Sequence, residues 1–253
     1  MTRLALLHQI DILILVECPI RPNDLLNLLN SNGEPAYFFS PGQCERVNIY
    51  SKFSDKYIRP IYETDRLTIR HLDLPARSDV LLAVTHFPSK RDWSDESQEQ
   101  ECVFLADNIK KAEENIGHSR TILVGDLNMN PFEAGVVSAR GLHAVMSKTI
   151  AKRIDRVVQQ RRYPFFYNPM WSMLGDATIG PPGTYFYQRS EHVAYFWHMF
   201  DQVLLRPELL GRFRNEDLQI LESDGTAKFL SRKGYPNKRE YSDHLPIFFK
   251  LEI

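Results

Sequence analysis

The sequence predicts one α/β domain, because short runs rich in Val, Ile and Tyr alternate with helical patterns along the whole chain. One long amphipathic segment is followed at once by an apolar run, which is typical of a helix that packs against a sheet. No Pro/Gly-rich linker and no internal repeat divides the 253 residues. We therefore predict a single domain over residues 1–253.

The first part of the chain predicts two short helices and a series of strands. Leu4, Leu7 and Ile10 have helical spacing. The short connections between the later strands favour antiparallel pairing. The predicted elements are a helix over residues 1–9, a strand over Ile12–Val16, a helix around 24–30, and strands over 37–39, 46–53, 57–62, 66–72 and Val80–His86.

The second part begins with a long helix over residues 94–115, for which Ser94 is the expected N-terminal cap. We expect this helix to direct Val103, Phe104, Ala106 and Ile109 toward the core. The remaining predictions are a strand over 121–124, a helical stretch beyond Pro131 through the basic segment 148–162, an aromatic and proline-rich loop region over 163–187, and strands over 199–205 and 247–253.

The composition excludes a chain that coats nucleic acid by charge alone, since the net charge is −1. No signal peptide or apolar run of bilayer length is present, and three widely spaced cysteines indicate neither disulfides nor a zinc site. We expect a cytoplasmic protein without membrane insertion. The chain nevertheless has two basic clusters. Each is compatible either with a solvated basic face or with a surface that binds a phosphate backbone. They are segment 148–162 and the group Lys228, Arg232, Lys233, Lys238 and Arg239.

Polar side chains follow four apolar strands, which is where sheet enzymes place reacting groups. Any one of these segments could be a polar turn, because Gly, Asp, Asn and Pro are turn formers. Their occurrence together and in order favours a functional site. They are Leu15-Val16-Glu17, Val84-Thr85-His86, Val124-Gly125-Asp126-Leu127-Asn128 and Tyr241-Ser242-Asp243-His244.

These segments resemble the endonuclease/exonuclease/phosphatase superfamily, whose fold is that of deoxyribonuclease I. The resemblance implies a four-layer α/β sandwich, with two packed mixed β-sheets flanked by helices and an active site at one end of the sheets. The matching pieces span nearly the whole chain in family order: residues 11–17, Thr85-His86, Gly125-Asp126-Leu127-Asn128 with Pro131, 200–204 and 242–246.

The resemblance also implies a divalent metal, Mg²⁺ or Mn²⁺, because hard oxygen ligands suit these ions. Glu17 resembles the principal metal ligand, with Asp243 and Asp126 as further carboxylates of the metal region. Asp126 also resembles the residue that orients or deprotonates the attacking water, and Asn128 would contact the phosphate or hold Asp126.

Two histidines complete the set of catalytic residues that the resemblance implies. His244 would contact a phosphate oxygen as an imidazolium, with Asp201 orienting it and favouring its charge. His86 would donate a hydrogen bond or proton toward the scissile phosphate, and a structural histidine is the alternative.

Aromatic residues between the Gly-Asp-x-Asn segment and Asp201 could stack on nucleic-acid bases, although core packing is the better interpretation for most. Trp171 is the ring we would test as a substrate contact, and Lys238 and Arg239 are the expected phosphate contacts. Other aromatic residues in this region include Tyr167, Tyr185, Tyr187 and Trp197.

The pattern departs from the family at the N-terminus. Family members begin with a strand that ends in an asparagine of the site, whereas Asn23 and Asn27 follow Glu17 and cannot replace it by order. Either the reading frame begins earlier by about one strand and a loop, which we favour, or the domain lacks a strand and a ligand. A missing interior strand would leave an exposed edge and a large cavity.

The sequence therefore predicts a metal-dependent phosphodiester hydrolase, an endonuclease or exonuclease with DNA or RNA as its substrate. Two alternatives stay open. One is a phosphatase or lipid phosphodiesterase with the same chemistry, and the other is a truncated, catalytically weak binding protein.

Overall fold

The computed structural model describes residues 1–31, 36–188, 190 and 192–253. The α-helices are α1 Thr2–Leu7, α2 Pro22–Leu29, α3 Asp95–Ile116, α4 Ala134–Val137 and α5 Lys148–Ala151. Short 3-10 helices span Asp55–Tyr57, Pro169–Met173, Pro207–Arg212 and Asn215–Asp217.

The strands are short and are spread along the described chain. The first eight are β1 Ile12–Val16, β2 Phe38–Ser40, β3 Val47–Ser51, β4 Ile58–Glu63, β5 Leu67–Leu72, β6 Val80–His86, β7 Thr121–Asp126 and β8 Ala144–Val145. The others are β9 Asp155–Val158, β10 Arg161–Pro164, β11 Phe166–Tyr167, β12 Tyr185–Phe186, β13 Trp197–His198, β14 Asp201–Leu205, β15 Gln219–Ile220 and β16 Ile247–Phe248.

Seven strands form a mixed central sheet in the order β4-β5-β6-β7-β14-β11-β8. Strands β6 and β7 are parallel neighbours connected through α3, as a parallel pair requires a long crossover. A second, antiparallel sheet has the order β1-β3-β2. The remaining pairs are β9–β10, β12–β13 and β15–β16.

The side chains of β6 show how the layers are arranged, because alternate residues of a strand point to opposite faces. Val80, Leu82 and Val84 belong to the core that also contains Val47 and Ile49 of the second sheet. Burying each such side chain stabilises the fold by roughly 1.5–3 kcal/mol.

The opposite face of the central sheet packs against α3. Leu81 and Ala83 of β6 join the buried residues Cys102, Leu105 and Ile109 of that helix. On the far side of the small sheet, α1 and α2 bury the group Ala5, Leu13, Leu25, Leu29, Tyr37 and Tyr50. The order helix, sheet, sheet, helix confirms the predicted four-layer sandwich.

Helix α3 begins and ends as predicted, but its buried face is different. Ser94 caps the N-terminus by accepting a hydrogen bond from the Ser97 amide, and Gly117 ends the helix in the left-handed conformation. The expectation that Phe104 points to the core is wrong, since its side chain is 54% exposed. The buried stripe instead passes through Cys102 and Leu105, because it follows the i, i+3, i+4 rows that continue to Ala112.

The predicted helix through the basic segment is also wrong beyond Ala151. Residues 155–164 form the β9–β10 hairpin, closed by Gln159 and Gln160, whose φ angles are 46° and 65°. Positive φ at both central residues is the geometry of a two-residue I′ turn, which is usually formed by Asn and Gly. The final strand is likewise shorter than predicted, because only Ile247–Phe248 pairs, with β15.

A cleft of about 2040 Å³ lies between β1 and the C-terminal segment 247–253 and continues to one end of the central sheet. Within the described residues, β1 pairs only with β3, so its second edge is unpaired. The floor of the cleft includes Leu82 of β6 and Val124 of β7.

Among the described helices, none has the length and apolar character needed to cross a bilayer.

Candidate active site

Three predicted residues lie side by side at the ends of neighbouring strands. His86 is the last residue of β6, Asp126 is the last of β7, and Asp201 is the first of β14. The strand register pairs His86 with Asp126 and Asp126 with Asp201. Because β14 runs antiparallel to β7, its start meets the ends of the two parallel strands. The sheet itself therefore holds these three side chains in one row.

The turn after β7 fixes the Asp126 carboxylate. This carboxylate accepts hydrogen bonds from the Asn128 backbone amide at 2.8 Å and from the Asn128 side-chain amide at 3.0 Å. Asn128 also donates to the Phe87 carbonyl at 2.9 Å, which ties the turn to the end of β6. Burial, followed by the negative charge of Asp201, raises the pKa of Asp126 to about 7.

Asp201 is also the partner of His244. The Nδ1 atom of His244 lies 2.7 Å from a carboxylate oxygen of Asp201. Burial disfavours a charged imidazole, but the charge of Asp201 and this hydrogen bond outweigh it and raise the pKa of His244 to about 10. His244 is therefore an imidazolium at neutral pH, and its Nε2–H is the ring donor that Asp201 does not use.

His86 lies on the other side of Asp126, and its pKa is shifted in the opposite direction to that of His244. Burial lowers its pKa. The negative charge of Glu17 opposes this effect, and the positive charges of Arg66, Arg46 and His244 add to it. Its Nδ1 atom is buried and has no hydrogen-bond partner in the described part of the chain. The Nε2 atom lies 3.8 Å from Asp126, beyond hydrogen-bond distance. A neutral, under-satisfied imidazole therefore faces the cleft.

Glu17 follows β1 and has a φ of 51°, a left-handed backbone conformation that residues other than glycine rarely adopt. Its carboxylate lies 2.9 Å from Arg46 and 3.7 Å from the Nδ1 atom of His86. Asp243 is exposed and also lines the cleft. The three carboxylates predicted to bind a metal, on Glu17, Asp126 and Asp243, thus face the same cavity.

Two groups of His and carboxylate residues have ligand atoms within 4.8 Å of one another in the described chain. In the group Asp126, Asp201 and His244, the imidazole nitrogen nearest the carboxylates already donates a proton to Asp201, so it offers no lone pair. In the group His71, Asp79 and His118, the carboxylate is ion-paired with Arg120. Glu17, Asp126 and Asp243 supply the oxygen donors that a hard divalent cation prefers, but their carboxylate oxygens do not all lie within 4.8 Å of one another.

No protein-family model and no curated relative matches the chain by sequence. Solved structures do match it. An AP endonuclease from Archaeoglobus fulgidus has a TM-score of 0.57 at 16% identity, covering 100% of this chain and 93% of that protein. D. rerio TDP2 complexed with a single-strand DNA product has a TM-score of 0.55 at 16% identity, covering 100% of this chain and 92% of that one.

The catalytic domain of human Nocturnin is a third similar structure, with a TM-score of 0.51 at 16% identity, covering 97% of this chain and 83% of that chain. All three proteins are members of the endonuclease/exonuclease/phosphatase superfamily. The chain has the deoxyribonuclease I-like fold. At these identities the likeness establishes the fold, which agrees with the central sheet and its flanking helices.

The other predicted residues occupy different places in the deoxyribonuclease I-like fold. Lys238 is exposed and lines the cleft, whereas Arg239 is exposed and is not among the lining residues. Trp171 is half-buried beside Phe132, at a ring separation of 6.3 Å, and is also absent from the lining. Its Nε1–H is buried without a partner in the described chain.

Sequence reasoning did not single out several residues that line the catalytic end of the cleft. Phe132 follows the Gly-Asp-x-Asn turn by four positions, and Tyr195 lies in the loop before β13. Asn130, which is 1% exposed, lies 3.1 Å from the Nδ1 atom of His198 and donates to Glu133. The sequence signal for these residues was the number of aromatic residues before Asp201. That signal did not indicate which of them lie near the catalytic residues.

Proposed function

We propose that this chain is a metal-dependent phosphodiester hydrolase, a nuclease whose substrate is nucleic acid. The observation that carries the proposal is the row His86, Asp126 and Asp201, set by strand register and joined to a charged His244. The structural neighbours add support, since one is an AP endonuclease and another holds a single-strand DNA product.

His244 binds the phosphoryl group in this proposal. Its charged ring supplies an N–H donor beside a site where negative charge develops on non-bridging oxygens, which favours the transition state. Asp201 acts as the positioning residue, because the 2.7 Å hydrogen bond fixes the ring orientation and maintains the charge. The two residues therefore act as a unit.

Asp126 orients the attacking water and accepts its proton. Burial and the negative charge of Asp201 raise the pKa of this carboxylate, which makes it a stronger base than an exposed aspartate. Asn128 keeps the carboxylate in place through its two hydrogen bonds. His86, which burial keeps neutral, donates a hydrogen bond toward the scissile phosphate from the opposite side of Asp126.

Glu17, Asp126 and Asp243 would hold the divalent cation, Mg²⁺ or Mn²⁺, because carboxylate oxygens are the ligands these ions prefer. When bound, the cation supplies positive charge to the phosphoryl oxygens and the leaving group. The Arg46 guanidinium now pairs with Glu17, so Glu17 would exchange this partner for the cation. Lys238, Arg239 and Trp171 remain proposals as substrate contacts.

We also propose that residues 1–253 form a single catalytic domain, in which β1 is an edge strand of the small sheet. The unpaired edge of β1 and the adjacent cleft support this. Hydrogen exchange tests it, because an open edge leaves every second amide of β1 unprotected. Protection of all five β1 amides, Ile12 to Val16, would contradict the proposal.

A cytoplasmic location is part of the proposal, since Cys18, Cys44 and Cys102 are all free thiols, as a reducing compartment allows. Cell fractionation with an antibody against the native protein tests it. Recovery with a membrane or secreted fraction would overturn the assignment.

The decisive experiment incubates the protein with supercoiled DNA, single-stranded DNA, RNA and a generic phosphodiester, with Mg²⁺, Mn²⁺ or a chelator. We expect metal-dependent cleavage that is lost in Asp126→Asn and His244→Ala. Asp107→Asn is the matched control, because Asp107 is on the exposed side of α3 and pairs with the surface residue Arg140. Nicking of supercoiled DNA would identify an endonuclease, and stepwise shortening of linear DNA an exonuclease.

Other outcomes select the alternatives. Release of phosphate or a lipid headgroup without cleavage of nucleic acid would replace the nuclease with a phosphatase or lipid phosphodiesterase of the same site. Binding without turnover at saturating Mg²⁺ and Mn²⁺ would support a catalytically weak binding protein.

A further inference from the structure

A set of aromatic rings borders the proposed catalytic residues. The ring of Tyr185 lies 4.8 Å from the ring of His244, and a backbone bridge also joins these two residues. Tyr185 stacks on the buried Phe200 at 5.3 Å with an interplanar angle of 22°. Both backbone and side chain thus hold Tyr185 at a fixed place beside His244.

Tyr187 extends this surface outward. It lies two positions after Tyr185, so the two rings share a side of the chain, and they stack at 6.4 Å with an interplanar angle of 16°. Tyr187 is 40% exposed and lines the cleft. A parallel pair of rings therefore leads from His244 toward solvent.

Tyr195 contributes a second exposed ring at the same end of the cleft. Its side chain is 58% exposed and contacts Phe132 at 5.4 Å and His198 at 6.0 Å. Phe132 also lines the cleft and follows the turn that carries Asp126 and Asn128. Core packing does not explain Tyr195, because more than half of its surface remains in water.

Exposed rings next to a phosphate-binding residue match the chemistry of a nucleotide, which has a π face attached to a charged backbone. Stacking of a base on an aromatic side chain contributes substantially and tolerates any sequence. In a duplex, neighbouring base pairs cover both faces of each base, so only an unpaired base offers a face to a protein ring. The cations Arg91 and Lys238 line the same cleft and suit the phosphates on either side.

We propose that the aromatic surface formed by Phe132, Tyr185, Tyr187 and Tyr195 binds unpaired bases next to the scissile phosphate. The inference rests on the proposed function and narrows its substrate to single-stranded or locally unpaired nucleic acid. Tyr187 and Tyr195 supply the exposed ring faces on which the bases stack. Tyr185 fixes the distance between those bases and His244.

Binding is tested first and without catalysis. A single-stranded oligonucleotide with 2-aminopurine at each position in turn is titrated with protein in chelator, since stacking on an aromatic ring quenches this base. We expect quenching at one or two adjacent positions, and binding roughly tenfold weaker in Tyr195→Ala and in Tyr187→Ala, the order expected for loss of one stacked base. Tyr195→Phe keeps the ring and should bind like the wild type.

The matched control is Tyr62→Ala, because Tyr62 is a tyrosine of β4 with 38% exposure that does not line the cleft. Equal binding by wild type, Tyr195→Ala and Tyr187→Ala would overturn the proposal. So would equal losses in Tyr195→Phe and Tyr195→Ala, or duplex binding as tight as single-strand binding.

Cleavage assays then separate the two proposals. We expect Tyr195→Ala to raise KM for a single-stranded oligonucleotide roughly tenfold and to leave cleavage of an oligomer of abasic residues unchanged. Equal losses on both substrates would overturn the stacking proposal. If no substrate is cleaved but the quenching and its loss are observed, the hydrolase proposal fails and base binding stands.

Discussion

Gly125 controls how closely β6 and β7 approach at the residue before Asp126. Its φ of 147° is outside the range of ordinary side chains, and a Cβ atom at this position would lie 1.9 Å from the Thr85 carbonyl oxygen. The glycine therefore lets the two parallel strands remain paired up to His86 and Asp126. The position of the Asp126 carboxylate depends on this contact.

Gly125→Ala is expected to lower the free energy of unfolding by about 3 kcal/mol or more and to abolish cleavage, because strand β6 or β7 must move. Chemical denaturation and the nuclease assay measure the two effects. Gly117→Ala is the control: Gly117 also has positive φ, but a Cβ atom added there would have no atom within 4 Å. Its cost should be about 1–2 kcal/mol, with activity retained. Equal costs for the two variants would contradict the steric argument.

Residues at strand ends could be found from the sequence, whereas the aromatic residues on loops that line the cleft could not. His86 and Asp126 directly continue apolar strands, so their position at one sheet edge followed from the pattern. Phe132 and Tyr195 reach the cleft through irregular backbone, which has no periodicity to predict direction. Trp171, chosen for its type, lies behind Phe132 instead.

At the level of elements, a buried ion pair joins α3 to the central sheet. The Glu113 carboxylate accepts hydrogen bonds from the Nε atom of Arg206 at 2.8 Å and from Thr121 at 2.7 Å. Arg206 stacks on Phe166 at 3.8 Å and donates to the Phe165 carbonyl. The pair therefore connects the end of α3, the start of β7 and the end of β14.

Glu113→Ala should lower the free energy of unfolding by about 3–5 kcal/mol, because it leaves the Arg206 charge buried without its partner. Urea denaturation measures this. Glu114→Ala on the same helix is the control, since Glu114 is 64% exposed and pairs with Lys110 at 3.8 Å. We expect a change within about 0.5 kcal/mol there. A similar loss of unfolding free energy in both variants would show that the loss comes from the change in helix sequence and not from the buried ion pair.

Element types were predictable where the pattern was long or regular. β1 and β6 were predicted with their observed bounds, and α3 within one residue. The β9–β10 hairpin was not, because Gln159 and Gln160 lack the Asn-Gly signature of their turn. The buried face of α3 was assigned incorrectly because apolar residues occur on two sides of that helix.

Across the whole molecule, the two ends of the central sheet have opposite character. One end places Asp126 and Asp201 beside each other, and burial, followed by the negative charge of Asp201, raises the pKa of Asp126. The other end places Asp79 among hydrogen-bond donors from β5 and from the loop between α3 and β7, which are His71, His118 and Arg120. The sequence could not show this division, because the donors come together only through the strand order.

The Asp79 network makes a prediction about stability and pH. Burial alone would raise the pKa of Asp79, but hydrogen bonds from His71, Arg120 and His118 outweigh it and hold this pKa well below its usual range. A carboxylate with a lowered folded-state pKa contributes stability that is complete above the unfolded-state pKa, about 3.9, and is lost as the pH falls through the folded value. Asp79→Asn should therefore cost about 1.5–3 kcal/mol at pH 7.

The difference between wild type and Asp79→Asn should shrink below about pH 4, as the wild-type carboxylate is protonated. Urea denaturation at a series of pH values measures it. Asp73→Asn is the control, because Asp73 is 55% exposed and lies 3.7 Å from Arg59 on the surface. A difference that is independent of pH down to pH 2 would show that Asp79 acts through packing, since only its charge can make the contribution vanish with acid.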